Sequence, residues 1–419
     1  MEIRVSYGKT HQIASLPQPY TAEWIQPRDT AAAPDAFAVV ENALQHPIGE
    51  VTLAQFRGVK SAAIAINDKT RPVPHDQLLP PLLAQLEDLG LPPEAITLVI
   101  ATGTHPVMLP EEYTHILPQD IINRYPIVCH DAYDDSTLVY LGQTLRDTPV
   151  FINKAYMAAQ LRLVVGNIEP HQFMGFSGGV KSAAIGLAGK ATINHNHAMM
   201  MDAQAQLGVY ETNPARQDVE DIGRMIGIHF AHNALLNGKK QIVDVLSGDP
   251  VAVMTAALDR VREIYQVPVS SAFDLLIVSP GGHPKDINVY QAQKALGHAA
   301  LVMKDGGTVI LCAACPEGTG SKAYEQWITD GTKHTHDDVF THFQQEGFKV
   351  GPHKAYQISR DASRIRVMLI SDMPAPFVSQ LLLYPQPDLQ TALDAALLHL
   401  PAEAHIGVMP SANNTIPML

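Results

Sequence analysis

Cysteine, tryptophan and runs of basic residues are scarce in this chain, and each scarcity excludes something. Three cysteines, Cys129, Cys312 and Cys315, in 419 residues cannot make a disulfide framework, so the chain reads as a protein of a reducing, cytoplasmic compartment. Lys and Arg number 29 against 42 Asp and Glu, a formal charge of −13, and no basic run exceeds a dipeptide. Nothing there would neutralise the phosphates of a duplex, so no nucleic-acid partner is expected. No apolar stretch approaches the roughly 18 residues of a membrane span, and the opening MEIRVSYGKTHQIASL lacks the apolar segment of a signal peptide, so no membrane partner is expected either. Charged residues make up only 17% and hydrophobic ones 46%, which excludes a disordered or coiled-coil chain; the length favours two domains. Histidine is the one excess: nineteen, roughly double ordinary usage.

Short runs of Val, Ile, Leu and Ala bounded by turn residues predict buried strands at 61–67, 96–101, 161–167, 273–278, 308–313 and 365–370. Helices are predicted between them, one opening at Asn213-Pro214 and one running from Asp249-Pro250 to about Tyr265. Alternating strands and helices imply an α/β fold with largely parallel sheets. The best boundary is QVPVSSA, which predicts a first domain over 1–266 and a second over 267–405, with a Pro- and Asn-rich tail, 406–419, packing back on the first.

Polar residues follow the first three predicted strands. DKTRPVP begins at Asp68, TGTH ends at His105, and Ile168-Glu169-Pro170-His171 follows 161–167. In an open parallel sheet the loops after the strands share one edge, where ligands bind, so Asp68, Arg71, His105 and His171 are expected to converge. GFSGGVKS resembles a phosphate-binding loop, but Val180 stands where that loop needs Gly before its Lys-Ser, which disfavours an NTPase. The other reading has the glycines admitting a flat or anionic ligand while Lys181 offers an amine for covalent attachment. NHNH offers His195 and His197 as a pair of the kind that can ligate a metal. Cys312 and Cys315 have CxxC spacing but no second pair to complete a zinc site, and Tyr290 and Lys294 share a helical face.

DKTRPVP, TGTH, EPHQFMGFSGGVKS, NHNH and PKDINVYQAQK, in this order and at these separations, resemble the nickel-dependent lactate racemase family, from Tyr7-Gly8 to the tail at Pro410. The resemblance implies two α/β domains with the active site in a cleft between them. It implies a racemase or epimerase inverting C2 of a 2-hydroxy carboxylic acid, by hydride transfer through a 2-keto acid. The cofactor implied is a nickel-pincer nucleotide, pyridinium-3,5-bisthiocarboxylic acid mononucleotide nickel, joined to Lys181. His197 matches the nickel ligand, and His105 and His171 match the catalytic acid/base pair. Arg71 and Tyr290 match substrate-binding residues, and Asp68, Gln291 and Lys294 match residues around the cofactor. The partners implied are a small 2-hydroxy acid and cofactor-maturation enzymes; no oligomeric state follows. This chain departs from the family at Val180 and Ile185, where relatives often carry Pro, and in having His195 beside the ligand, with no role assigned. A non-catalytic small-molecule binder with the same fold is the competing reading.

Overall fold

The apolar runs form strands because each is buried on both faces, as parallel strands covered by helices must be. The computed structural model describes residues 1–419, and it divides into two units, Asp29–Ile264 and Met1–Arg28 with Tyr265–Leu419. In the unit 29–264 we label the strands of the six-stranded sheet β1 Ala62–Asn67, β2 Ile96–Ala101, β3 Ile127–Cys129, β4 Leu161–Asn167, β5 Phe230–Leu236 and β6 Ile242–Gly248. Their order is β6-β5-β4-β1-β2-β3. All neighbours are parallel except β5 and β6. One sheet face packs Ile64, Ile66, Leu98, Ile100, Leu163 and Val165 against helices Ala36–Gln45 and His75–Asp88. Each fully buried leucine or isoleucine there contributes about 1.5–3 kcal/mol.

The other unit carries an all-parallel sheet in the order Tyr384–Gln386, Arg366–Ile370, Met303–Cys312, Phe273–Val278, Ile406–Met409, Ala22–Trp24. Alternate residues of each strand bury on opposite faces. Phe273, Leu276 and Val278 join one core, while Leu275 and Ile277 join a second with Ile3, Val5 and Leu16.

This assignment corrects the expected domain limits at both ends. The first 28 residues belong with 265–419 because their hairpin, Glu2–Tyr7 with Thr10–Ser15, covers one sheet face through Ile3, Val5 and Leu16. The tail 406–419 does not join the first domain. Ile406–Met409 pairs with Phe273–Val278, and Ile416–Met418 pairs with Gln266–Pro268. The predicted strand 308–313 is longer, Met303–Cys312, and the helices Pro214–Ile226 and Pro250–Tyr265 form where Pro at the first turn places them. No helix is long and apolar enough to cross a membrane.

Candidate active site

The strand order of the unit 29–264 reverses between β1 and β4: the chain steps from β1 to β2 and β3 on one side, then returns to β4 on the other. The carboxyl ends of the strands at such a reversal diverge and leave a crevice. Asn67 and Asn167 end the two central strands, and the loops beyond them carry the predicted residues.

After β1, Arg71 N–H donates to the Asp68 carbonyl (3.1 Å) and Thr70 N–H to Asp68 Oδ1 (3.1 Å), a turn that points the Asp68 side chain toward the loop after β2. There Asp68 Oδ2 lies 2.8 Å from His105 Nδ1, and the Thr70 hydroxyl donates to Asp68 Oδ1 at 2.8 Å. Asp68 is 2% exposed. Burial alone would raise its carboxyl, but hydrogen bonds from His105 and Thr70 and the His105 charge outweigh it and hold the group below the usual carboxylate range. An acceptor this close keeps the His105 proton on Nδ1 and leaves the Nε2 lone pair to take a proton. The His105 side chain is 42% exposed, so that nitrogen is reachable.

After β4 the chain makes a short hairpin, Pro170–His171 against Gly175–Phe176. Met174 N–H donates to His171 Nδ1 at 3.3 Å, so the neutral His171 ring carries its proton on Nε2. Phe173 stands edge-on between two imidazoles, 4.9 Å from His171 and 5.1 Å from His197.

Glu169, two residues before His171 in the loop after β4, is a charged residue of the site to which no motif gives a role. It pairs with Lys240 at 2.6 Å and lies 3.8 Å from the Arg71 guanidinium. Burial opposes its charge, and Lys240 and Arg71 still hold its carboxyl below the ordinary value. Its signal in the sequence is only its place after a strand; Lys240 arrives from β5–β6, 71 residues away.

The glycine loop differs from its expected purpose. Gly175, Gly178 and Gly179 all have positive φ, and the space a Cβ would need is filled by protein. At Gly178 it would sit 2.5 Å from Ile168 Cγ1 and 2.7 Å from the Asn167 carbonyl, and at Gly175 it would sit 1.8 Å from the Val209 carbonyl. These glycines let the loop fold onto the end of β4, with no need for a ligand to explain them. Arg216, fully buried, donates to the carbonyls of Phe176 and Gly178 and pairs with Glu220. The loop so held delivers Lys181 to the first position of the helix Lys181–Ala184.

His195 and His197 lie on the helix Lys190–Ala198, where residues two apart project about 200° apart and cannot chelate one ion. His195 Nδ1 meets the Thr148 hydroxyl at 2.8 Å, whereas His197 lines the crevice. The crevice holds about 770 Å³ of empty space, part of it open to solvent, and Arg71, His105, Glu169, His171, Lys181 and His197 all line it. Asp68, expected among the residues around the cofactor, instead stands behind His105 and is not among the side chains that line the crevice.

Tyr290, Gln291 and Lys294 belong to the other unit, on the helix Val289–Ala300, whose cap Asn288 accepts from Gln291 N–H at 3.1 Å. Lys294 Nζ donates to Gln291 Oε1 at 2.6 Å, and Lys354 Nζ lies 4.4 Å from the centre of the Tyr290 ring. Cys312 and Cys315 are buried, and burial pushes both thiols far above their ordinary value, which opposes redox chemistry.

Known proteins share this architecture. The lactate racemase N-terminal domain matches residues 7–208 and the lactate racemase C-terminal domain residues 269–416. Lactate racemase of Lactiplantibacillus plantarum is 35% identical over 294 residues, 70% of this chain and 69% of that protein. Lactate racemase of Thermoanaerobacterium thermosaccharolyticum is 29% identical over 384 residues, 90% of this chain and 89% of its own. The solved lactate racemase apoprotein from Thermoanaerobacterium thermosaccharolyticum superposes with a TM-score of 0.92 at 28% identity, covering 100% of both chains. A protein from Thermotoga maritima, at 16% identity and a TM-score of 0.65 over 94% of this chain and 99% of its own, shares the fold. With both domains matched and a relative of 35% identity spanning more than two thirds of its length, this chain belongs to the lactate racemase family of isomerases.

Proposed function

We propose that the protein is a racemase or epimerase that inverts C2 of a 2-hydroxy carboxylic acid, lactate or a close relative, through a 2-keto acid. The observation that carries this reading is the convergence of His105, His171, Arg71 and Lys181 on one crevice at the strand-order reversal.

The residues fit a nickel-pincer nucleotide joined to Lys181. No group of three or more His, Cys, Asp or Glu side chains is arranged to hold a metal, and His197 and Lys181 both line the crevice. A single imidazole matches a metal whose other donors come with the bound nucleotide. Lys181 would anchor the group and His197 would ligate its nickel. When bound, the pyridinium ring supplies a hydride acceptor for the substrate α-hydrogen.

The chain's own residues do the rest. The two enantiomers present their hydroxyls on opposite sides, so inversion needs two acid/base groups. His105 offers a lone pair at Nε2, backed by Asp68, and takes the hydroxyl proton of one enantiomer. His171 works through Nε2 on the other enantiomer, giving a proton to the oxygen as the hydride returns to C2 and taking the hydroxyl proton when the reaction runs in reverse. Arg71 can hold the substrate carboxylate through two parallel N–H donors while C2 exchanges faces. Tyr290 as a substrate contact, and Gln291 and Lys294 as cofactor contacts, complete the proposal, as do maturation enzymes that build and load the nucleotide.

The test is intact-mass and nickel analysis of protein co-produced with those enzymes, followed by incubation with a panel of chiral 2-hydroxy acids in deuterated water and chiral chromatography. We expect an adduct on Lys181, nickel, and racemisation of one panel member with its α-hydrogen retained. Solvent deuterium at C2, or a chain lacking both nickel and adduct under conditions that load a known relative, would overturn it.

A further inference from the structure

Asn196 stands between His197 and the interior of the unit 29–264. It is fully buried, and its Nδ2 donates to the Ala215 carbonyl and to Asp218 Oδ2, each at 2.9 Å. A backbone carbonyl can only accept, so this contact settles which end of the amide carries hydrogens. The other end, Oδ1, therefore faces His197 Nδ1 at 3.2 Å. An amide oxygen can only accept in its turn, so the hydrogen between them sits on Nδ1, and the lone pair of the neutral His197 ring is on Nε2.

The amide cannot turn over cheaply. Asp218 is itself fully buried and also accepts from the hydroxyls of Thr144 (2.5 Å) and Thr148 (2.9 Å). Turning Asn196 would set its oxygen against an Asp218 oxygen and the Ala215 carbonyl, leaving three buried acceptors facing one another. The Thr148 hydroxyl, committed to Asp218, accepts in turn from His195 Nδ1, which ties the second histidine of the helix to the same network.

We propose that Asn196, braced by Asp218 and Ala215, is a positioning residue that locks His197 in the Nδ1–H tautomer and so presents Nε2 to a metal. The proposal rests on the nickel reading above and gives His197 the outer support that metal-ligating histidines commonly have.

The test separates the lock from the metal. In apoprotein labelled with ¹⁵N at the histidine rings, with His197 assigned by the signal lost in His197→Gln, NMR should show Nδ1 protonated and Nε2 bare. Asn196→Ala should lose that preference, while Asn196→Gln, which keeps an amide oxygen to accept from Nδ1 and an amide N–H for Asp218, should retain it. In protein co-produced with the maturation enzymes, Asn196→Ala should hold nickel against a chelator about 10- to 100-fold less tightly. A proton on Nε2 in the unsubstituted protein overturns the proposal, as does an Asn196→Ala protein with unchanged tautomer and nickel retention. If Asn196→Ala fails to fold, Asn196→Gln decides, and loss of the Nδ1–H form there refutes the lock. A chain that never carries nickel overturns the nickel reading, and the apoprotein spectrum still decides the tautomer.

Discussion

Asp68 Oδ2 and His105 Nδ1 lie 2.8 Å apart, joining the ends of two neighbouring parallel strands through one hydrogen bond. The carboxylate is buried and the imidazole exposed, so the pair has a fixed inner end and an outer nitrogen free to meet substrate.

Asp68→Asn should therefore impair proton transfer while sparing cofactor attachment. We expect kcat to fall by roughly 10²- to 10⁴-fold, the range of general acid–base contributions. Nickel content and the Lys181 adduct should be unchanged. Kinetics of the loaded variant within a few-fold of the unsubstituted enzyme would refute the pairing as part of the machinery.

Arg71 is expected to act on binding more than on chemistry. Arg71→Ala removes charge-assisted hydrogen bonds worth about 1.5–3 kcal/mol, so kcat/KM should drop roughly 10- to 100-fold, mostly through KM. A fall confined to kcat would assign Arg71 elsewhere.

The loop that carries Lys181 should tolerate no side chain at its tightest point. Gly178 has φ +81°, and a Cβ there would meet Ile168 and the Asn167 carbonyl inside 3 Å. Strain and overpacking together should cost Gly178→Ala roughly 2–5 kcal/mol. Denaturant unfolding reads the loss directly, and a variant as stable as the parent would show that the loop can move aside.

Acid should destabilise the unit 29–264 well above the carboxylate range. Burial pushes the His75 and His232 imidazoles from their ordinary value down to about 4. Both stay neutral in the folded chain, whereas the unfolded chain protonates them below about pH 6.5. Their contribution is thus complete above that pH and is lost progressively as pH falls from about 6.5 to about 4. At about 1.4 kcal/mol per group per pH unit, the two together remove roughly 3 kcal/mol per unit. Between pH 6.5 and 5.5, where the unfolded imidazoles go from half to mostly protonated, the loss is roughly 2 kcal/mol and the melting temperature should drop by roughly 4–8 °C. The depressed carboxyl of Asp68 acts in the same direction, but only below its unfolded value of about 3.9. A flat melting profile across that window would show that these histidines are not held neutral.

The CxxC pair should be inert in the folded protein. Cys312 and Cys315 are 0% and 1% exposed, and Cys129 is the more accessible thiol. Alkylation of native protein followed by mass spectrometry should modify Cys129 first, with the other two reacting only on unfolding. Early modification of either would contradict their burial.

The strands were legible because burial on both faces demands an uninterrupted apolar run, and such a run is local: 96–101, 161–167 and 273–278 coincide with the observed limits. The strands β5 and β6 were less legible, since FAHNALL and IVDVLSG interleave polar residues. His232 on β5 bonds Ser247 on β6 at 2.6 Å, a match visible only once the two strands meet.

The chemical groups and their attachment to strand ends were legible in the chain alone, because the rule that loops after parallel strands share an edge needs no knowledge of which strands are neighbours. The pairings belong to the folded structure. Asp68 serves His105, Glu169 engages Arg71 and Lys240, and Arg216 holds the glycine loop through partners 38 and 40 residues away. It also separated two histidines that look alike in NHNH, since a helix turns neighbours at that spacing to opposite sides, one toward Thr148 and one toward the crevice. And it assigned the first 28 residues and the tail to the unit 265–419, because the sheet there takes an edge strand and the cover for one face from those residues and the strand beside that edge, Ile406–Met409, from the tail.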